Sequence, residues 1–247
     1  MEIIQVFEKL ESHFNDAGFN IVLRARSSEY DKLINHSKKI SSIFPGAESI
    51  ILVGFAGNKF WPKFNSYIDN NPEFKESNPD LIDNYTELVF EEATEILNNG
   101  DIKSTYMFPF GEDAVQLDFM KLGELCGAGV RSLLGILLHP KYGTWMSLRG
   151  AVVTDHVFET YDEPIRDFTP CPPCDKPCIG ACPVHTISDA GWDWESCMKF
   201  RISDDTCSKS CASRLACPYG AEERYTHPQL AYHHDHVLKS IKKYYKS

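Results

Sequence analysis

Cysteine is missing from the first 125 residues of this 247-residue chain. Also missing is any run of eighteen apolar residues, the length a helix needs to cross a bilayer. Positive charge is in short supply: 25 Lys and Arg against 35 Asp and Glu leave a formal net charge of −10. Such a surface repels phosphate backbones unless its basic residues are segregated, which argues against a nucleic-acid partner. The one dense basic stretch, Lys239 to Lys246, reads as cations at a helix C-terminus. The start, Met1 to Gln5, has no basic segment or small-residue cleavage site. With reduced cysteines, this points to the cytosol. No repeat or low-complexity segment occurs. What is present, 43% hydrophobic residues, suffices for one sizeable core or a core with a small appended domain.

Eight of the nine cysteines fall between Cys171 and Cys217. The first run is Cys171, Cys174, Cys178 and Cys182-Pro183; the second is Cys197, Cys207, Cys211 and Cys217-Pro218. Two interleaved sets of four thiolates, each closing on Cys-Pro, match the ligand needs of two [4Fe–4S] clusters. In that arrangement the last cysteine of each run serves the other cluster. Cys171, Cys174 and Cys178 then share one with Cys217, while Cys197, Cys207 and Cys211 share one with Cys182. The gaps are looser than in the bacterial C-x2-C-x2-C-x3-C-P run. Structural zinc is an alternative, although only one C-x2-C is present and the double Cys-Pro closure has no zinc rationale. A disulfide framework is another, against which stand the odd cysteine count and the length of the chain.

Apolar periodicity predicts a helix from Ile4 through Phe14 ended by Gly18, a strand over Asn20 to Arg26, and a helix from Ser28 to Lys39 capped by Ser28. Ser49 to Phe55 is a near-continuous apolar run and reads as a buried strand. Asn58 to Pro79 reads as a loop with one helical turn. Helices follow from Leu81 to Ile96 and from Asp113 to Leu125, with a strand over Ile102 to Phe108 between them. Gly135 to Leu138 and Trp145 to Thr154 read as a hairpin about a Pro140–Gly143 turn, and Tyr225 to Tyr245 as a final helix. Strands interleaved with helices, with antiparallel pairing, imply an α+β layer fold. Three parts are expected: a first lobe over 1–165, a cysteine-rich lobe over 166–220, and a helix over 221–247 that packs back on the first lobe.

Gly135 to Val153, GILLHPKYGTWMSLRGAVV, resembles a stretch of the cyanocobalamin decyanase family (CblC, MMACHC), and so does Glu223 to Tyr232, ERYTHPQLAY. The intervening cysteine-rich segment resembles the ferredoxin lobe of epoxyqueuosine reductases and reductive dehalogenases. Together they imply a nitroreductase-like cobalamin-binding lobe with an inserted bis-[4Fe–4S] ferredoxin-like lobe that feeds it electrons. The implied activity is an oxidoreductase that reductively processes cobalamin by decyanation or dealkylation. The alternatives are a cobalamin-dependent reductase of another substrate, or an electron carrier and cobalamin chaperone. A low-potential donor of the ferredoxin or flavodoxin type is implied as partner. A homodimer is open, since such scaffolds are often dimeric. No D-x-H-x-x-G run occurs, which argues against a mutase-type histidine on cobalt.

The resemblance nominates individual residues. Asp113 matches the proton-donating aspartate of epoxyqueuosine reductases; against this, a helix N-cap explains its position without chemistry. His139, Tyr142, Gly143, Trp145, Arg149 and Gly150 are nominated for the cobalamin pocket. Against this, His139 can serve the turn, and Tyr142, Gly143 and Trp145 can be hairpin residues. Arg149, on an otherwise apolar strand, calls for an anion: a cofactor side chain or an internal carboxylate. Cys126 reads as a small buried residue, and His233, His234 and His236 as one face of a solvated helix.

Overall fold

The computed structural model describes residues 3–35, 38–111 and 117–245. In chain order its strands are β1 (Ile21–Arg26), β2 (Ser49–Ala56), β3 (Ser104–Met107), β4 (Val130–Arg131), β5 (Leu137–Leu138), β6 (Met146–Thr154), β7 (Ile187–Ser188) and β8 (Gly191–Trp192). Its α-helices are α1 (Ile3–Asp16), α2 (Ser27–Lys32), α3 (Ile40–Ile43), α4 (Phe60–Asn70), α5 (Pro72–Ser77), α6 (Leu81–Asn98), α7 (Phe119–Leu125), α8 (Pro177–Ala181), α9 (Trp194–Ser203), α10 (Ala212–Ala216) and α11 (His227–Tyr244). The chain divides into two units, the first up to Ala128 with Met146–Ile165, the second Gly129–Trp145 with everything from Arg166. Among the described residues no helix is long and apolar enough to cross a membrane.

The first unit is built on an antiparallel sheet in the order β1-β2-β6-β3. All eight residues of β2 are buried. That is the burial an unbroken apolar run requires, since a strand flanked by neighbours and covered on both faces has no polar side to show. α1 contributes the stripe Val6, Phe7, Leu10 and Phe14, recurring at one-turn intervals. α6 packs against α1, β3 and β6. The core between them is largely aromatic: Phe55 and Phe60 stack with ring centroids 4.0 Å apart, and Phe14 meets Phe90 edge-on at 5.2 Å.

Four elements differ from the sequence expectation. Asn58 to Pro79 holds two helices, α4 and α5. Pro62 falls in the first turn of α4, where its missing N–H has no intrahelical partner to lose, and Phe60, Phe64 and Ile68 form the buried stripe. The helix expected over Ser28 to Lys39 stops at Lys32, and Ser28 caps nothing. Asp31 instead accepts from the backbone of Ile40 at 2.7 Å and Ser41 at 3.2 Å, so its carboxylate starts α3. α7 begins at Phe119, capped by Asp118, which accepts from the Lys121 N–H. The hairpin is smaller than expected: β5 pairs with β4, and only a bridge joins His139 to Gly143, while β6 pairs with β2 and β3.

In the second unit, Leu134, Leu138, Cys178, Cys182, Ile187 and Cys217 share one small buried cluster. Trp192 and Tyr219 pack against it. α11 groups with this unit, where it packs against α9.

Gly150 shows how closely α6 approaches the sheet. A Cβ there would stand 2.6 Å from the Phe90 ring and 3.0 Å from that of Phe108. Gly150→Ala is expected to destabilise the protein by about 1–3 kcal/mol through overpacking. A thermal midpoint equal to that of the parent chain would contradict this packing.

Candidate functional site

Short helices and turns carry the eight clustered cysteines. Lys176, left-handed at φ +53°, turns the chain into α8, which holds Cys178. Cys197 lies on α9, whose first turn is capped by Asp193 accepting from Ser196. Cys211 and Cys217 flank α10. These cysteines line two cavities. Cys171, Cys174, Cys178 and Cys217 border the first; Cys182, Cys197, Cys207 and Cys211 border the second.

The thiols within each cavity feel one another. Cys178 is raised by burial first and then by negative charge at Cys171 and Cys174. Cys217 is raised by burial, against the Tyr219 hydrogen bond, and then by Cys178, Cys171 and Cys174. In the second cavity, burial followed by Cys211 and Cys197 raises Cys207. Cys182 goes the other way. Burial pushes it up, but hydrogen bonds from the Thr186 hydroxyl and N–H, Val184 and Ser213 bring it down overall. The Thr186 N–H lies 3.4 Å from its sulfur.

Among the described residues no three His, Cys, Asp or Glu side chains converge closely enough to hold one metal ion. A tetrahedral zinc needs four sulfurs at about 2.3 Å. A cubane interposes its own iron and sulfide atoms between the thiolates, so its ligands ring a space. Four soft sulfur donors bordering one cavity fit a requirement of that second kind.

Sequence reasoning missed the polar shell of these cavities. Thr186, Ser213, Arg201 and Arg214 all line the second one. A faint signal was available: Thr186 and Arg201 each stand four residues after a cysteine. His233 and His234, both half-buried, also line this cavity. His234 is pushed down to about 4, by burial first and next by the charge of Arg201, so its ring is neutral at pH 7.

The residues nominated for cobalamin have internal duties. Arg149 is ion-paired with Asp83, donates to the Thr86 hydroxyl at 3.4 Å, and lies 4.7 Å from the centroid of the Phe110 ring. Its anion is thus an internal carboxylate. Gly150 accommodates Phe90. In the second unit, His139 Nδ1 accepts from the backbone N–H groups of Lys141 at 3.0 Å and Tyr142 at 3.2 Å, closing the turn. Gly143 has φ +57°, and a Cβ there would be 2.1 Å from the Tyr219 carbonyl oxygen, a place only glycine fits. Trp145 is fully buried, edge-on to Tyr225 at 5.7 Å. Asp113 lies outside the described residues. Cys126 is buried in the first unit, its thiol pushed up by burial and by Asp162, as an inert core thiol should be.

No family model and no curated protein matches this chain. Solved structures do. Over 92% of its length it aligns with 68% of an epoxyqueuosine reductase from Bacillus subtilis, at 18% identity and a TM-score of 0.61. Over 96% it aligns with 97% of a C. elegans B12-trafficking protein, CblC, a human MMACHC homologue, at 14% identity and a TM-score of 0.57. The chain shares their fold. Over 95% of its length it also aligns with 34% of the catabolic reductive dehalogenase NpRdhA, solved with 3-bromo-4-hydroxybenzoic acid, at 16% identity and a TM-score of 0.58. At such identities the likeness is one of fold, and chemistry has to be argued from the site.

Proposed function

We propose that the protein is an iron–sulfur reductase whose substrate is cobalamin, from which it removes the upper ligand, such as cyanide, reductively. The observation that carries this is the division of eight cysteines into two fours, each bordering its own cavity. The fold, held in common with a B12-trafficking protein and with two kinds of reductase, supports the choice of substrate class. A nitroreductase-like first lobe with a ferredoxin-like second lobe is part of the same reading.

Cys171, Cys174, Cys178 and Cys217 would hold one [4Fe–4S] cluster, and Cys182, Cys197, Cys207 and Cys211 the other. Bound clusters supply single electrons. The chain's own residues supply the rest: Thr186 hydrogen-bonds to the Cys182 sulfur, and Leu134, Ile187 and Trp192 keep water from the sulfurs. With cyanocobalamin, one electron goes to cobalt(III) and cyanide leaves with the bonding pair, giving cobalt(II).

Anaerobically reconstituted protein given a strong one-electron donor is expected to convert cyanocobalamin to the cobalt(II) form, read from its visible spectrum. An unchanged cobalamin spectrum while the clusters are demonstrably reduced rejects this activity. Cobalamin retained unaltered through turnover of a second organic compound would instead mark a cobalamin-dependent reductase.

A further inference from the structure

The two cysteine-lined cavities differ in positive charge. At the first stands Lys176, and its ammonium is already paired with Asp189 at 2.5 Å. The second is bordered by two guanidiniums, those of Arg201 and Arg214. Arg201 rides on the last turn of α9 and is 9% exposed. Its Nη2 donates to the His234 carbonyl of α11 at 3.1 Å, its buried Nε has no partner, and no described carboxylate pairs with it. Arg214 donates from Nη2 to the Thr144 carbonyl at 2.5 Å and lies over the rings of Trp145, at 4.5 Å, and Tyr225, at 5.2 Å. Its Nε too is buried without a partner.

Arginine stays charged in proteins, and a buried charge is costly unless an anion answers it. No acidic side chain borders the second cavity among the described residues, so the anion left to answer these charges is a cluster held by the four cysteines. A thiolate-ligated cluster is an anion whose reduction adds one further negative charge. Nearby fixed positive charge stabilises the reduced form and raises the reduction potential.

We infer that Arg201, seconded by Arg214, holds the cluster at Cys182, Cys197, Cys207 and Cys211 at a higher potential than its neighbour, so that electrons entering the pair collect there. The inference rests on the two-cluster reading above. Arg201 is the residue that sets the direction of flow; it donates no electron and binds no iron.

An EPR-monitored redox titration of anaerobically reconstituted protein tests this. Two one-electron steps are expected, and the step missing from Cys207→Ser should be the higher one. In Arg201→Gln the ratio of reduced to oxidised second cluster, at a fixed solution potential, should fall about tenfold, equivalent to about 59 mV for one electron. Arg201→Lys, which keeps the charge, should restore most of it, and the other step should not move in either variant. If Cys207→Ser loses the lower step, or both steps coincide, the inference is overturned while the clusters stand. That comparison requires no substitution at Arg201. Protein that takes up no iron and sulfide overturns the cluster reading itself, before any potential is read.

Discussion

Cys182→Ser will abolish the same EPR signal as Cys207→Ser and spare the one that Cys178→Ser abolishes. Along the chain Cys182 closes the first run, but in space it borders the second cavity with Cys197, Cys207 and Cys211. Cys217 shows the converse, ending the second run and bordering the first cavity. Protein reconstituted under anoxic conditions should hold about eight iron and eight sulfide per chain, and each single variant about four. Iron and sulfide analysis beside EPR checks both parts. Cys182→Ser behaving like Cys178→Ser would refute the crossover. Stoichiometric zinc in an anoxic preparation would refute iron altogether.

Arg149→Leu is expected to cost about 3–5 kcal/mol of unfolding free energy, because it strands the Asp83 carboxylate. The two side chains are only 12% and 15% exposed. Solvent screening therefore does little to weaken their pairing, and water cannot readily replace the guanidinium. Adding Asp83→Leu should recover most of the loss, since two apolar groups of similar volume leave no orphaned charge. Urea unfolding of the single and double variants gives the comparison. A single variant within about 1 kcal/mol of the parent would mean that the pair is not closed to solvent. This experiment also bears on cobalamin: an arginine held this way has its anion already and is not waiting for one from a ligand.

Periodicity located those parts of the fold where burial is one-sided or complete. The stripe of α1, the long face of α6 and the unbroken run of β2 all follow from where apolar side chains must go. It failed where a polar side chain decides the backbone. Asp31 ends one helix by starting another, and His139 closes a loop through its ring nitrogen. Nor did it reveal the true partners of β6, since those strands lie far away in sequence. At the site, the cysteines could be named by counting. Their charged neighbours could not, because Arg201 reaches the His234 carbonyl only once α9 and α11 have packed.

Because the first cavity takes its fourth sulfur from the far run, it is complete only once Cys217 has been made, whereas the second, whose far-run sulfur is the earlier Cys182, is complete at Cys211. An iron donor meeting the nascent chain would find three thiols and an open corner until Cys217 had left the ribosome. On the two-cluster reading, loading of the first centre would be a late event, and a chain truncated before Cys217 would forfeit it however well the rest folds.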